Sequence, residues 1–562
     1  MKNGFWSNMR RFAALGCVAV TAAGAVYAQD PLPQVPASDP IAELKARLDR
    51  LEQENKELRQ IVREGNPVNF QPPSADKKDV EKIVADYIKA DEKKKKDAED
   101  KKKKEEADKG FEVGKDFSMT ASWRNGLELS TKDKAFKVHV GGRFQYDNAW
   151  FTNDSGGFSA APTTAFPSRR SIFEDGSDLR RARLRVDGTI WEVIDFVAEF
   201  DFTNTQDLRQ APSLLDPQGT VNPTDVFVNI GKLPYIGNLR VGHFKEPFGF
   251  EHNTSSRFLN FMERSMAFDA FVADFNYSDG MMIFNNACDE NVYWAVGVFR
   301  EGTNAFGTNA GDGEYALTGK VSTLPWFEQD GRYLWHIGAS GRHANPHRDR
   351  IRLRSRAPIR DAQGFQTPNI VDTRDFFADS ETLVGLETAL QYGPFMLISE
   401  YYGFLAGDSA RVDNPPLTGP LARGDRYFQG GYVELLCFLT GEHKSYNRRS
   451  GNFDRVIPHE NFFCVESEDC GTCRGWGAWQ VGVRYTHLDL DDTQLPTAAT
   501  AVLGRTDDVT LGLNWFLNPN TKIQFNYFWL RRNARESVIA GRAAPTLDGT
   551  ANGFGVRVAI DF

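Results

Sequence analysis

The sequence predicts an all-β transmembrane barrel carrying an N-terminal α-helical coiled-coil extension. Three observations carry the barrel. Between Arg181 and Ile190 the chain alternates with a period of two: Ala182, Leu184, Val186, Gly188 and Ile190 share one face, while Arg181, Arg183, Arg185, Asp187 and Thr189 share the other. A soluble sandwich would not turn three successive arginines into its core, because burying unpaired charge is prohibitive; a membrane barrel faces lipid outside and water inside, so it accepts them. The chain also ends on an alternating strand, with Phe554, Val556, Val558, Ile560 and Phe562 against Gly555, Arg557, Ala559 and Asp561. Finally, 42 Phe, 16 Tyr and 11 Trp are enough to furnish aromatic girdles at two membrane interfaces. Closure removes the edge strands that lipid would not tolerate.

The N-terminus reads as an export signal over residues 1–28. Lys2, Arg10 and Arg11 precede the apolar run Phe12–Ala25, and Val26-Tyr27-Ala28 forms a small-residue cleavage site. Only a short apolar run precedes Cys17, which argues against a lipid-anchor cysteine there. Beyond Ala28 no apolar run is long enough for a transmembrane helix, so an exported chain of this kind is periplasmic, secreted or an outer-membrane barrel.

Residues 29–64 are a short leader and a coiled coil. Ser38-Asp39-Pro40 starts a helix with a capping oxygen and a first-turn proline. Ile41, Leu44, Leu48, Leu51, Asn55, Leu58 and Val62 then occupy a and d heptad positions among charged neighbours. So few heptads need further support, and Asn55 favours a defined register and two strands. Residues 65–115 form a proline-containing linker and a charged helical spacer. Lys93–Lys96 and Lys101–Lys104 alternate there with acidic residues, as in a solvated helix or one that touches the cell wall or anionic lipid. The barrel domain spans 116–562.

A formal net charge of −9 argues against a nucleic-acid binder, which needs a clustered basic face. Cys464, Cys470 and Cys473 lie close together in a polar stretch; an oxidising compartment favours a disulfide among them over zinc, because His459 is poorly spaced as a fourth ligand. Cys288 and Cys437 read as ordinary strand or turn residues. His343 and His347 have helical metal spacing, but Pro346 lies between them, so no metal is expected. No zinc-protease motif, phosphate-binding glycine loop or nucleophile elbow occurs, so no enzyme and no cofactor are expected.

The stretch Leu239–Phe271 organises the rest. It begins as a strand, breaks at Pro247 and Gly249, and continues into His252-Asn253-Thr254-Ser255-Ser256-Arg257 and Met262-Glu263-Arg264-Ser265. Small hydroxyls beside an arginine suit an oxyanion, since they donate hydrogen bonds without filling the path. Gly242-His243-Phe244-Lys245-Glu246-Pro247-Phe248-Gly249 through Ser255-Ser256-Arg257 and Met262-Glu263-Arg264 resembles the phosphate-selective porin O and P family, and the resemblance runs from about Phe117 to Phe562.

The resemblance implies about sixteen antiparallel strands, a homotrimer in the outer membrane and an anion path narrowed by this segment folded into the bore. Carried over residue by residue, it implies anion contacts from Arg143, Arg180, Arg181, Ser255, Ser256 and Arg264, and from Asp225 as an acceptor. It sets three chains against the two that Asn55 favours. Asp225 would accept the proton of hydrogen phosphate and so discriminate against sulfate, which has none to offer. Each lumen arginine equally reads as one half of an ion pair with Asp187, Glu199 or Asp201. Arg348, Arg350, Arg352, Arg354 and Arg356 occur at every second position and resemble the family's arginine ladder at the outer mouth; the same spacing also suits a solvated loop.

Two departures stand out: His252 replaces a lysine usual before the serine pair, and the lysine-rich inner exit is reduced to Arg124, Lys132, Lys134 and Lys137. The functional expectation is passive diffusion of inorganic phosphate, polyphosphate or related anions. The alternatives are a structural barrel tethering a periplasmic coiled coil and a broad small-solute porin.

Overall fold

The computed structural model describes residues 116–562 apart from 204–220, 303–313, 361–367, 412–422, 468–470, 493–501 and parts of 157–174 and 535–547. The expected signal peptide, coiled coil and charged spacer fall outside the described residues, except for Gln53 and Lys56, as do the side chains of Cys464, Cys470 and Cys473.

Sixteen antiparallel strands close into a barrel. They are β1 (Lys137–Gly156), β2 (Gly176–Ile190), β3 (Ile194–Asp201), β4 (Asn222–Leu233), β5 (Gly237–Phe244), β6 (Ser278–Ala287), β7 (Val292–Arg300) and β8 (Tyr315–Glu328). The second half continues with β9 (Tyr333–Ala344), β10 (Ser380–Tyr392), β11 (Phe395–Arg411), β12 (Gly424–Phe438), β13 (Ala478–Asp489), β14 (Gly504–Asn518), β15 (Thr521–Ala534) and β16 (Gly549–Asp561). Strand β16 returns to β1, pairing Arg557 with Asp147 and Asp561 with Arg143. An N-terminal hairpin, Met119–Trp123 and Leu127–Thr131, extends the sheet beside the start of β1.

The wall carries the inverted pattern. On β1, Phe144, Tyr146 and Trp150 are exposed while Arg143, Gln145 and Asp147 are buried. On β16, Phe554, Val558 and Ile560 are exposed around a fully buried Arg557. An apolar outer belt of this extent is a lipid-facing surface. The register also explains adjacent arginines on one side. Gln145 pairs with Arg181 and Tyr146 with Leu179, so Arg180 is the extra residue of a bulge. A bulge re-aims a side chain that strict alternation would send to the lipid face.

One end of the barrel has mostly tight turns; the other carries the longer connections, including residues 245–277 and 345–379. Segment 439–477 is the exception, a long connection at the tight-turn end. Its hairpin, Lys444–Asn447 paired with Asn452–Val456, reaches the inner wall, where the hydroxyl of Tyr446 lies 2.7 Å from Nδ1 of buried His336 on β9. Cys288 lies in the turn after β6 and Cys437 within β12.

Candidate functional site

Segment 245–277 passes through the barrel interior and is held there by oppositely charged groups on different walls. Gly249 adopts φ 62°, and a Cβ there would stand 2.8 Å from Oε1 of Glu400, so glycine suits both the turn and the close approach. The helix α1 (Phe250–Asn253) follows, and its first amides, from Phe250 and Glu251, donate to the Glu400 carboxylate on β11. Asn260 donates to Glu434 on β12 at 2.9 Å, and Arg484 on β13 donates to the carbonyl of Glu263 at 2.9 Å. A second helix, α2 (Met266–Phe271), is capped by Ser265, whose hydroxyl accepts from the Phe268 amide at 3.1 Å. Phe248, Phe268, Phe271 and Phe275 then pack against Tyr402, Phe404 and Phe428.

At the opposite wall Glu263 is the anchor. Arg180 grips it through two bonds of 2.8 and 3.1 Å, and Nη2 of Arg557 lies 2.7 Å away while holding Asp147 at 2.6 Å. Burial alone would raise the Glu263 carboxyl, but Arg180, Arg181 and Arg557 hold it well below the usual carboxylate range.

Between this segment and strands β1–β7 lies a polar chamber of about 320 Å³. Six residues from the sequence expectation meet around it: Arg143, Arg181, Asp225, Ser255, Ser256 and Arg264. Nη1 of Arg143 donates to the Ser256 hydroxyl at 2.7 Å, and its Nη2 reaches Glu199 at 2.5 Å. Arg181 donates to Gln145 at 2.7 Å. Arg264 donates to the carbonyls of Glu251 at 2.9 Å and Thr254 at 2.8 Å through Nε and Nη2, leaving Nη1 without a protein acceptor among the described residues. The hydroxyls of Ser255 and Ser256 accept from Arg257 and Arg143, so each keeps its own proton for another acceptor. Asp225 is the one carboxylate among the described lining residues.

Arg180 is not brought to the chamber. Its Nε and Nη2 are spent on Glu263 and it is not among the residues lining the chamber, so the structure places it beside the site rather than on it. The arginines at 348–356 do not form one continuous row. Arg348 sits in a tight turn, and two short strands, Arg350–Ile351 and Arg354–Arg356, follow. Arg352 clasps Asp372 at 2.6 and 2.9 Å, Arg356 holds Asp269 at 3.0 Å, and Arg350 and Arg354 lie 3.8 and 3.7 Å from Asp375 and Asp274. In this arrangement, four arginines of the expected outer-mouth ladder contact acidic partners brought in by tertiary folding.

His252, the departure from the family's lysine, is fully buried, and its Nε2 lies 3.1 Å from both the carbonyl and the side-chain oxygen of Asn276. Burial, reinforced by Lys245 and Arg264, pushes its pKa well below the ordinary histidine value. The nearby cation is Lys245, whose ammonium donates to the His252 carbonyl at 2.6 Å. Burial, and next Arg264, push the Lys245 pKa well below that of a free lysine.

The chamber also contains residues the sequence reading did not assign to it: Lys245, Arg240, Arg257 and Arg449, together with Tyr277. Arg183 and Arg185 belong to the inward row already visible in β2. Arg240 was detectable from the alternation that puts Leu239 and Val241 on the other face. Arg449 comes from the turn of the 444–456 hairpin, which no periodic pattern marks.

A sixteen-stranded barrel with an apolar outside, a charged lumen and an internal loop is the architecture of an outer-membrane porin, a channel rather than an enzyme. The chain belongs to the phosphate-selective porin O and P family, whose model matches residues 139–550. It is 26% identical to Porin O of Pseudomonas aeruginosa over 431 residues, covering 72% of this chain and 85% of that protein. It is 25% identical over 455 residues to an uncharacterised protein of Caulobacter vibrioides, covering 78% and 77%. Among solved structures it is similar to the outer-membrane channel DcaP of Acinetobacter baumannii, with a TM-score of 0.41, 12% identity and coverage of 77% and 99%. An anion-selective porin from Comamonas acidovorans gives a TM-score of 0.40, 12% identity and coverage of 76% and 100%.

Proposed function

We propose that the protein conducts anions passively across the outer membrane and binds phosphate or a polyphosphate in the chamber, at a passage narrowed by segment 245–277. The observation that carries this reading is the convergence of Arg143, Arg181, Ser255, Ser256 and Arg264 around one water-accessible space that contains a single carboxylate among its described lining residues. Nη1 of Arg264, the ammonium of Lys245 and the two serine protons supply donors from different directions. Asp225 accepts the proton of hydrogen phosphate, which favours phosphate over sulfate.

Conduction requires that no point hold the ion too firmly. A charge pair about 4 Å apart gains roughly 4 kcal/mol at an effective dielectric near 20 before desolvation. The carboxylates beside Arg143, Arg183 and Arg185 offset part of that attraction and spread it along the β2 row. On this reading the tight-turn end faces the periplasm, residues 1–28 direct export, three chains assemble, and the N-terminal extension of residues 29–115 is periplasmic, with the cell wall as a partner.

Planar-bilayer recordings test the reading. Chloride current should be blocked by phosphate and pyrophosphate at lower concentrations than by sulfate. A silent barrel would instead favour a structural tether for the coiled coil. An open channel whose phosphate block is unchanged in Arg181→Ala and Arg264→Ala would favour a broad small-solute porin.

A further inference from the structure

Strands β4–β7 turn an aromatic surface into the lumen, where porin walls are ordinarily polar. Phe227 on β4, Phe284 on β6 and Tyr293 on β7 line the chamber and pack on the buried cluster that contains Phe244 and Met282. Arg240 stands among these rings. Its guanidinium carbon lies 4.1 Å from the centroid of Phe227, 4.9 Å from Phe284 and 5.5 Å from Phe244.

The β2 cations Arg183 and Arg185 differ from Arg240 in one respect. Arg183 holds Asp201 at 2.6 Å and Arg185 holds Asp187 at 2.8 Å, whereas Arg240 makes no hydrogen bond and no ion pair among the described residues. Its Nε is buried without a partner. Aromatic faces attract a guanidinium but leave its in-plane donors unused, and a buried donor without an acceptor is unfavourable. The chamber volume of about 320 Å³ also exceeds what a single phosphate needs and falls at the small end of clefts that take organic ligands.

We propose that Arg240 with Phe227, Phe284 and Tyr293 forms a second subsite, which receives the planar ring of an aromatic phosphate monoester while its phosphate occupies the donors of Arg264, Ser255, Ser256 and Lys245. This rests on the phosphate-binding reading above. The ring packs on the aromatic wall, the edge of Arg240 serves acceptor atoms carried by the ring, and the chamber prefers an aryl phosphate to an aliphatic one of the same charge.

Chloride current through the full-length porin, titrated with phenyl phosphate, methyl phosphate and inorganic phosphate, tests this. Phenyl phosphate should reach half-block at a concentration lower than methyl phosphate by about fivefold, the scale of a specific aromatic contact. Phe284→Ala and the volume-preserving Phe284→Leu should both erase that advantage and leave the methyl phosphate titration within about twofold. Arg240→Gln should reduce it. Equal block by phenyl and methyl phosphate in the wild type, or an advantage that survives both Phe284 variants, overturns the subsite while leaving the phosphate site standing. A wild-type channel blocked by none of the three overturns the phosphate site and the subsite together.

Discussion

The cations inside this barrel fall into two regions with different fates. At the tethers, Arg180 and Arg557 are committed to Glu263, Arg342 to Glu246, Glu301 and Glu381, and Lys320 to the Gly249 carbonyl at 2.7 Å. Around the chamber, Nη1 of Arg264 and all of Arg240 have no protein acceptor among the described residues. Residue type is therefore a poor guide to role: a lumen arginine is committed where the infolded segment or a neighbouring strand brings a carboxylate to it, as at Arg180 or Arg183, and available where neither does. Buried ion pairs of the first kind are costly to break, because the surviving charge loses its partner.

The comparison breaks most visibly at Glu263. Glu263→Ala should leave Arg557 and Arg180 without their shared carboxylate, a loss of roughly 3–5 kcal/mol at the tether. The expected result is a noisier channel of higher conductance, with segment 245–277 cut by protease in folded detergent-solubilised protein while the barrel wall survives. A quiet single level at wild-type conductance would remove the tether from the account.

Arg264→Ala should come next. Losing a charge-assisted donor of roughly 1.5–3 kcal/mol should weaken phosphate half-block by about ten- to a hundredfold. Arg180→Gln sharpens the contrast with its neighbour Arg181. It should shift phosphate half-block by less than about threefold while adding current noise, because its bonds go to Glu263 rather than to the chamber.

The smallest effect is one of pH. The Lys245 pKa lies well below the ordinary lysine value through burial and the Arg264 charge. Its positive charge is present below that pKa and lost as pH rises through it, so chloride preference should decline in alkali before exposed lysines titrate. Lys245→Arg should flatten this decline; an identical pH profile in the variant would exclude Lys245 as its source.

Much of this organisation was legible in the chain. The row Arg181, Arg183 and Arg185 against Leu184 and Ile190 shows an inside-out wall because side-chain alternation is a local property of strands. The closing strand at Phe562 is legible for the same reason. Local pattern stops at Arg180, whose direction depends on a bulge opposite Gln145 and Tyr146. It also stops at Arg352 and Arg356, whose partners Asp372 and Asp269 arrive from other parts of the fold. Arg240 is a single charge in a short strand, and its aromatic surroundings come from β4, β5 and β6 together. The hairpin at 444–456 enters the lumen from the tight-turn end, where the sequence carries no repeat to announce it.

The most direct test of an anion-conducting lumen is the zero-current potential of the purified porin in a potassium chloride gradient, read before and after phosphate is added to one side. The open cations around Asp225 predict a potential of the sign set by chloride and a current that falls saturably with phosphate. A potential of the sign set by potassium, or a chloride current indifferent to phosphate, would contradict the account.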